Sequence, residues 1–318
     1  MDNVKLGGSG LEVSRLCFGS LTIGPLQANL PLEEGSRVLA RAIELGVNFT
    51  DTAQLYRTYP YIRRAMELTG AYELYVSTKT YAYTREMAVA AVEEARRELG
   101  RDYIDLFMLH EQESVHTLRG HMDAMDYLME CKVKGIIRAV GVSMHHIAAV
   151  EGVRELGIYD VIHPIFNRRG IGIADGTIGE MERALEAAHG DGIGVFAMKA
   201  LGGGNLFREA AHSLNFVLDK PYVDSIAVGM QTIAEVEANV RFFEERSFDK
   251  KSESVIMNRH RRLHIEDWCE GCGRCVEACP QRALSLGAGG IAEIANHGQC
   301  ILCGYCSAEC PVMAIKVI

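Results

Sequence analysis

The chain has 318 residues, of which 48% are apolar, and a formal charge of −9. That is enough apolar material for a large core, and the acidic balance argues against a nucleic-acid surface, which needs a basic face. The opening MDNVKLGGSGLEVS has no basic region followed by an apolar run, and no uncharged apolar stretch approaches the length of a bilayer span, so the expectation is a soluble cytoplasmic protein without a membrane partner.

In chain order, KLGGSGLEVS reads as a small hairpin capping the floor of the larger fold. Strand-like runs then appear at SRLCFGS, VNFTDTA, LYVSTKT, YIDLFMLH, IRAVGVSM, DVIHPIFN, IGVFAMKA and VDSIAVGM. Amphipathic helical stretches such as EEGSRVLARAIELG, TREMAVAAVEEARRELG and TIAEVEANVRFFEE separate nearly all of them. Several helices stop at a glycine, at Gly46, Gly100, Gly157 and Gly190, where a left-handed residue ends a helix without steric cost. This alternation predicts an α/β chain whose residues 1–246 close into a parallel (β/α)8 TIM barrel. A doubly wound open sheet is disfavoured, because LCFGSLTIGP after the first strand is not the G-x-G-x-x-G turn. Residues 247–264 turn polar and basic and read as a connector; its RHRRLH run is either solvated or set against an acidic surface.

Eight of the ten cysteines lie in residues 265–318, which form a second, small α+β domain. They fall in two copies of C-x2-C-x2-C-x3-C-P, CEGCGRCVEACP and CILCGYCSAECP. Three thiolates at this spacing wrap one corner of an inorganic cube, while the fourth, before the proline, turns away to the other cube. The expectation is therefore two [4Fe-4S] clusters: Cys269, Cys272, Cys275 and Cys310 for one, Cys300, Cys303, Cys306 and Cys279 for the other. The segment resembles a bacterial two-cluster ferredoxin. Cys17 and Cys131, outside it, read as small buried apolar residues.

Catalytic groups of such barrels stand at the C-terminal ends of strands. Asp51 and Tyr56 follow the second strand in DTAQLY, Lys79 ends the third in STKT, and His110 ends the fourth in LFMLH. Carbonyl reduction leaves charge on oxygen, and a tyrosine can supply the proton if a neighbouring ammonium favours its phenolate. Lys79 is placed to do this, Asp51 to hold Lys79, and His110 to bond the substrate oxygen.

These residues, in this order and spacing, resemble the catalytic tetrad of the aldo-keto reductase family, and the likeness extends over KLGGSGLEVSRLCFGS and the GVS at Gly141–Ser143. The resemblance implies Tyr56 as the acid, supported by Lys79, Asp51 and His110. It implies a nicotinamide cofactor, NADP or NAD, and a small carbonyl or alcohol substrate. It places Gly19, Ser20, Ser143, His163, Phe166 and Asn239 at the cofactor, with Ser143 near the nicotinamide amide and Asn239 at the adenine. His163 stands where the family has glutamine, and Met144 where an asparagine is usual. MKALGGG replaces the common Ser-Pro-Leu, and its Gly202, Gly203 and Gly204 would let backbone amides approach a pyrophosphate. Gln231 and Glu235 occupy the positions where relatives that select NADPH carry cations; a carboxylate there suits a free ribose hydroxyl, leaving Lys199 or Arg241 as substitute cations for a 2′-phosphate. The tail either exchanges electrons with the barrel site, docks an outside redox partner such as a flavoprotein or ferredoxin, or only scaffolds the barrel. A competing reading is an electron-transfer or docking protein whose barrel does not use nicotinamide catalytically.

Overall fold

The computed structural model describes residues 1–258 and 261–318. The first two strands, β1 (Asn3–Lys5) and β2 (Glu12–Ser14), pair antiparallel as the expected hairpin. Its Leu6, Leu11 and Val13 are buried with Phe49, Leu106, Met108 and Phe196, so the hairpin plugs the floor of the barrel.

Eight parallel strands then close in the order β10-β3-β4-β5-β6-β7-β8-β9. They are β3 (Leu16–Gly19), β4 (Phe49–Asp51), β5 (Tyr75–Thr80), β6 (Ile104–Gln112), β7 (Ile137–Met144), β8 (Val161–Pro164), β9 (Gly194–Ala197) and β10 (Ser225–Gly229). Around them lie the helices α1 (Leu32–Glu44), α2 (Tyr59–Thr69), α3 (Arg85–Leu99), α4 (Val115–Gly120), α5 (Met122–Val133), α6 (Ile147–Leu156), α7 (Ile178–Gly190), α8 (Ala210–Leu218) and α9 (Ile233–Glu245). The main core lies between strands and helices, where Phe18, Phe107, Phe166 and Phe242 are fully buried. Cys17 and Cys131 are buried, as small apolar residues should be. Among the described residues no helix is long and apolar enough to cross a membrane.

Two elements differ from the sequence expectation. Helix α2 follows β4 although YPYIRRAMELT carries a proline; Pro60 sits in the first turn, where the missing N–H is one that a helix leaves unpaired anyway. The stretch read as connector contains α10 (Lys250–Asn258), whose Ile256 is buried against Ala210 and Ala238 of the barrel helices. Of the RHRRLH run, Arg259 and His260 lie outside the described residues; Arg261 stacks on the ring of Phe207, its guanidinium 4.2 Å from the centroid.

The C-terminal domain is built from two short ribbons and two single-turn helices: β11 (Leu263–Ile265), α11 (Arg274–Glu277), β12 (Leu284–Leu286), β13 (Ala292–Ile294), α12 (Tyr305–Ala308) and β14 (Ile315–Val317). β11 pairs with β14 and β12 with β13, both antiparallel. This domain seats on the loop after β9. Met313 is buried in the barrel's own core, Val317 N donates to Gly203 O at 3.0 Å, and the Arg208 guanidinium reaches the carbonyls of Ile301 and Leu302. Gly204 has a φ of +89°, and a Cβ there would lie 1.9 Å from the Val317 carbonyl oxygen, so the fit requires glycine.

Candidate active site and cysteine cavities

The end of β4 and the loop after it set Asp51 and Tyr56 beside Lys79 of β5 and His110 of β6, because neighbouring parallel strands finish at the same rim. The Lys79 ammonium donates to Asp51 Oδ1, Asp51 Oδ2 and the Thr52 carbonyl, each at 2.7 Å. All its protons are thereby taken inside the protein, where it is 1% exposed. Burial alone would raise the Asp51 carboxyl, but the Lys79 charge and then His163 reverse this and hold it well below the usual carboxylate range.

The Tyr56 hydroxyl lies 3.4 Å from His110 Nε2, and Lys79 Nζ lies 4.9 Å from the Tyr56 ring centroid. The expectation that Lys79 would lower the phenol is not met in this arrangement. Burial raises Tyr56 well above its ordinary value, and the Asp51 and Glu111 carboxylates act in the same direction. The physical reason is that Lys79 is committed to Asp51 and Thr52, so its field at the phenol is offset. Tyr56 is therefore a firmly protonated donor. His110 is pulled down to about 3, by burial first and then by the Lys79 charge, so its imidazole is neutral.

Sequence reasoning missed a second group at the same rim. Tyr81 stacks on His110, with centroids 4.4 Å apart, and its hydroxyl donates to Glu111 Oε2 at 2.5 Å. Glu111 Oε1 lies 4.0 Å from His145 Nε2, and that nitrogen accepts from Lys199 Nζ at 2.9 Å. His145 is turned inward before α6; burial, then the Lys199 charge, depress its imidazole strongly. Lys199 is itself lowered to about 7, first by burial and then by the Lys316 ammonium. The available signal was positional: Tyr81 and Glu111 directly follow the strand-end residues Lys79 and His110 by one or two places.

A cavity opens at this rim. It runs from Asp51, Tyr56 and His163 to Gln231, Glu235 and Asn239 on the loop and helix after β10, and is also lined by Gly19, Lys199 and Gly203. Of the other expected cofactor residues, Ser20, Ser143, Phe166 and Gly202 do not line it. Ser20 Oγ donates to the Asp51 carbonyl, Ser143 Oγ accepts from Glu111 N, and Phe166 packs against Phe216 in the core. His163 donates from Nδ1 to the Phe196 carbonyl at 2.6 Å, which leaves Nε2 facing Asp51 Oδ2 at 3.7 Å. The Glu235 carboxylate accepts from Gln231 N at 2.8 Å at the start of α9, and Asn239 Nδ2 donates to the Glu235 carbonyl. Arg241, the other substitute cation, pairs with Asp249 outside the cavity. The glycine run has a further task besides lining the cavity, since Gly203 and Gly204 receive the backbone of β14.

Two smaller cavities lie in the C-terminal domain. One is lined by Cys269, Cys272, Cys275 and Cys310; the other by Cys279, Cys300, Cys303 and Cys306. These are the two sets expected from the spacing, with the fourth cysteine crossed. Among the described residues no three His, Cys, Asp or Glu side chains converge on a single point as one metal ion would need. Four thiols spread around a cavity fit a multi-iron cluster, whereas tetrahedral zinc draws its sulfurs to one centre. Burial raises the Cys275 thiol and pushes Cys306 up to about 11, so both need a cationic occupant to ionise.

A closed parallel barrel with a buried Asp–Lys pair and a tyrosine at its mouth defines an enzyme-like (β/α)8 barrel, and comparison with known proteins makes the assignment specific. The chain belongs to the aldo/keto reductase family, whose profile matches residues 15–213, and residues 262–313 match the 4Fe-4S dicluster domain. It is 26% identical over 157 residues to methylglyoxal reductase DkgA of Yersinia pestis, covering 47% of this chain and 55% of that protein. It is 27% identical over 190 residues to an aldo-keto reductase of Mycolicibacterium vanbaalenii, covering 56% and 62%. The chain thus spans less than two-thirds of the length of these relatives. The holo form of aldo-keto reductase AKR11C1 from Bacillus halodurans superposes with a TM-score of 0.65 at 21% identity, over 81% of this chain and 96% of that one, a likeness of fold.

Proposed function

We propose that this chain is a nicotinamide-dependent oxidoreductase that interconverts a small carbonyl and its alcohol, with Tyr56 as the proton donor and acceptor. The observation that carries this is the Tyr56 hydroxyl 3.4 Å from His110 Nε2, with Tyr56 in the wall of a cavity that is also lined by Gln231, Glu235 and Asn239. A bound nicotinamide supplies a two-electron equivalent to the carbonyl carbon. Tyr56 delivers the proton to the carbonyl oxygen, and His110 Nε2 orients that oxygen. Lys79, fixed by Asp51, packs over the Tyr56 ring and holds the phenol at the rim. His163 and Lys199 line the cofactor's path, and Glu235 supplies the 2′-phosphate of NADP with no cation, which favours tolerance of NADH.

The eight tail cysteines are proposed to hold two [4Fe-4S] clusters, which supply one-electron transfer when bound and suit exchange with an outside flavoprotein or ferredoxin. The test is nicotinamide-dependent reduction of a carbonyl panel by anaerobically purified protein. Methylglyoxal is the first member, after the name of the Yersinia pestis relative. Tyr56→Phe is expected to lower kcat by about 10²–10⁴-fold with little change in nucleotide binding. An unchanged rate would remove Tyr56 from the reaction, and failure to bind NADH and NADPH would favour the docking alternative.

A further inference from the structure

The large cavity is not made by the barrel alone. Lys316, Val317 and Ile318 of the C-terminal domain line it together with Lys199, Gly203 and Gly204 of the loop after β9. β14 is anchored there by the Val317–Gly203 backbone bond, and the absent Cβ of Gly203 would sit 3.6 Å from Lys316 Cγ, so the lysine stem lies across this glycine. Two lysines, one from each domain, thereby line one cavity.

Their surroundings are unusual for buried cations. Lys316 is 5% exposed and pairs with Glu266, which His264 Nε2 also approaches at 3.2 Å; the ring of Trp268 lies 4.7 Å from Lys316 Nζ. An ammonium has three donors, and the Glu266 carboxylate takes up only part of that capacity on Lys316. Lys199 bonds a neutral imidazole, His145, instead of a carboxylate. The charged groups that act on it are Lys316, Glu111, Glu266 and Lys79. Glu111 is engaged by Tyr81 and Glu266 by Lys316, while Lys79 is spent on Asp51. Lys199 and Lys316 therefore repel across a space in which, among the described residues, no carboxylate bonds Lys199, an arrangement that an incoming oxyanion relieves.

We propose that Lys199 and Lys316 form a two-lysine oxyanion subsite that takes the diphosphate of a dinucleotide, so that the C-terminal domain supplies part of the barrel's cofactor site. This rests on the reading of the cavity as a dinucleotide site. Lys199 and Gly203 line the same cavity as Tyr56 and the Gln231–Asn239 segment, and the glycine run beside Lys199 leaves room for a diphosphate to approach the backbone. The arrangement also ties cofactor affinity to the tail: whatever loosens β14 removes a cation from the site.

The experiment uses full-length, cluster-loaded protein and ADP-ribose, which carries the diphosphate and adenosine but cannot transfer electrons. Binding is measured by calorimetry at about pH 8 in two buffers of different ionisation enthalpy. Because Lys199 is lowered to about 7 in the free protein, an arriving diphosphate restores its charge, and the wild type is expected to take up a substantial fraction of one proton. Lys199→Met is expected to abolish the uptake. Lys316→Met is expected to weaken ADP-ribose binding by about tenfold or more, and Lys316→Arg by no more than a few-fold. Iron content and visible absorbance report whether the tail is intact. If Lys316→Met strips the clusters by leaving Glu266 unpaired, the double variant Lys316→Met/Glu266→Gln replaces it. Wild-type ADP-ribose affinity in a cluster-intact Lys316 variant, or unaltered proton uptake in Lys199→Met, overturns the subsite while leaving dinucleotide binding standing. Absence of wild-type binding to ADP-ribose, NADH and NADPH overturns both.

Discussion

Substituting Gly204 with alanine should detach β14 from the barrel without harming the barrel itself. At a φ of +89° the new side chain strains the backbone, at about 1–2 kcal/mol for an L-residue in the left-handed region. Its Cβ would also stand 1.9 Å from the Val317 carbonyl oxygen, a backbone atom that can withdraw only by moving the strand. That movement breaks the Val317 N to Gly203 O bond, worth about 0.5–1.5 kcal/mol. Local opening of β14 should become easier by about 2–3 kcal/mol, which is roughly a thirtyfold to hundredfold faster amide exchange if exchange follows the opening equilibrium. Hydrogen exchange of a peptide covering residues 312–318 measures this directly. Gly203→Ala is the control: its Cβ would meet Met313 Cε at 3.3 Å and Lys316 Cγ at 3.6 Å, flexible side-chain atoms that can yield, so its cost is mainly the conformational one, about 1 kcal/mol. Equal exchange in the two variants, or no change in Gly204→Ala, would refute the claim that this backbone contact seats the domain.

Asp51→Asn leaves the Lys79 ammonium buried without its carboxylate and should cost about 3–5 kcal/mol in denaturant unfolding; a loss under about 1 kcal/mol would show that Thr52 and solvent suffice. His110 is lowered to about 3 in the fold, so the unfolded chain binds its proton first, near pH 6.5; stability should fall as pH drops below about 6.5 and continue falling toward about 3, and His110→Gln should flatten part of that slope in unfolding measured between about pH 7 and 5. Cys310→Ala should remove iron from the cavity of Cys269, Cys272 and Cys275 and spare the other, cutting iron from about eight to about four per chain; undiminished iron would break the crossed assignment.

The barrel was legible because strand runs and amphipathic helices alternate at a steady spacing, and the four polar residues at strand ends stand out against apolar strands. The crossed cysteine sets were legible for a similar reason: a repeated local spacing carries the geometry. Helix α2 escaped because Pro60 and its tyrosines look like a break until the first turn is located. Helix α10 escaped because KKSESVIMN offers few apolar positions, with Ile256 alone of its apolar residues buried. Lys316 as a wall of the cavity had no local signal at all. Its neighbour Lys199 is more than a hundred residues away, and their meeting depends on how one domain seats on a loop of the other. The same holds for the glycine run, whose composition suggested a phosphate loop and which also receives a strand.

The exchange of fourth cysteines between the two cavities bears on how such a domain could arise. Each half of the tail gives three cysteines to its own cavity and one to its neighbour's, so a peptide with a single motif cannot complete either cavity by itself. Two identical copies related by a twofold axis could, each lending its last cysteine to the other, as isologous partners do. The tail has the form of such a symmetric pair joined end to end, β11-α11-β12 and β13-α12-β14, with each ribbon pairing one strand from each half. Independent drift of either copy would then be checked by the other, because loss of the fourth cysteine from one half impairs the cavity centred in its twin.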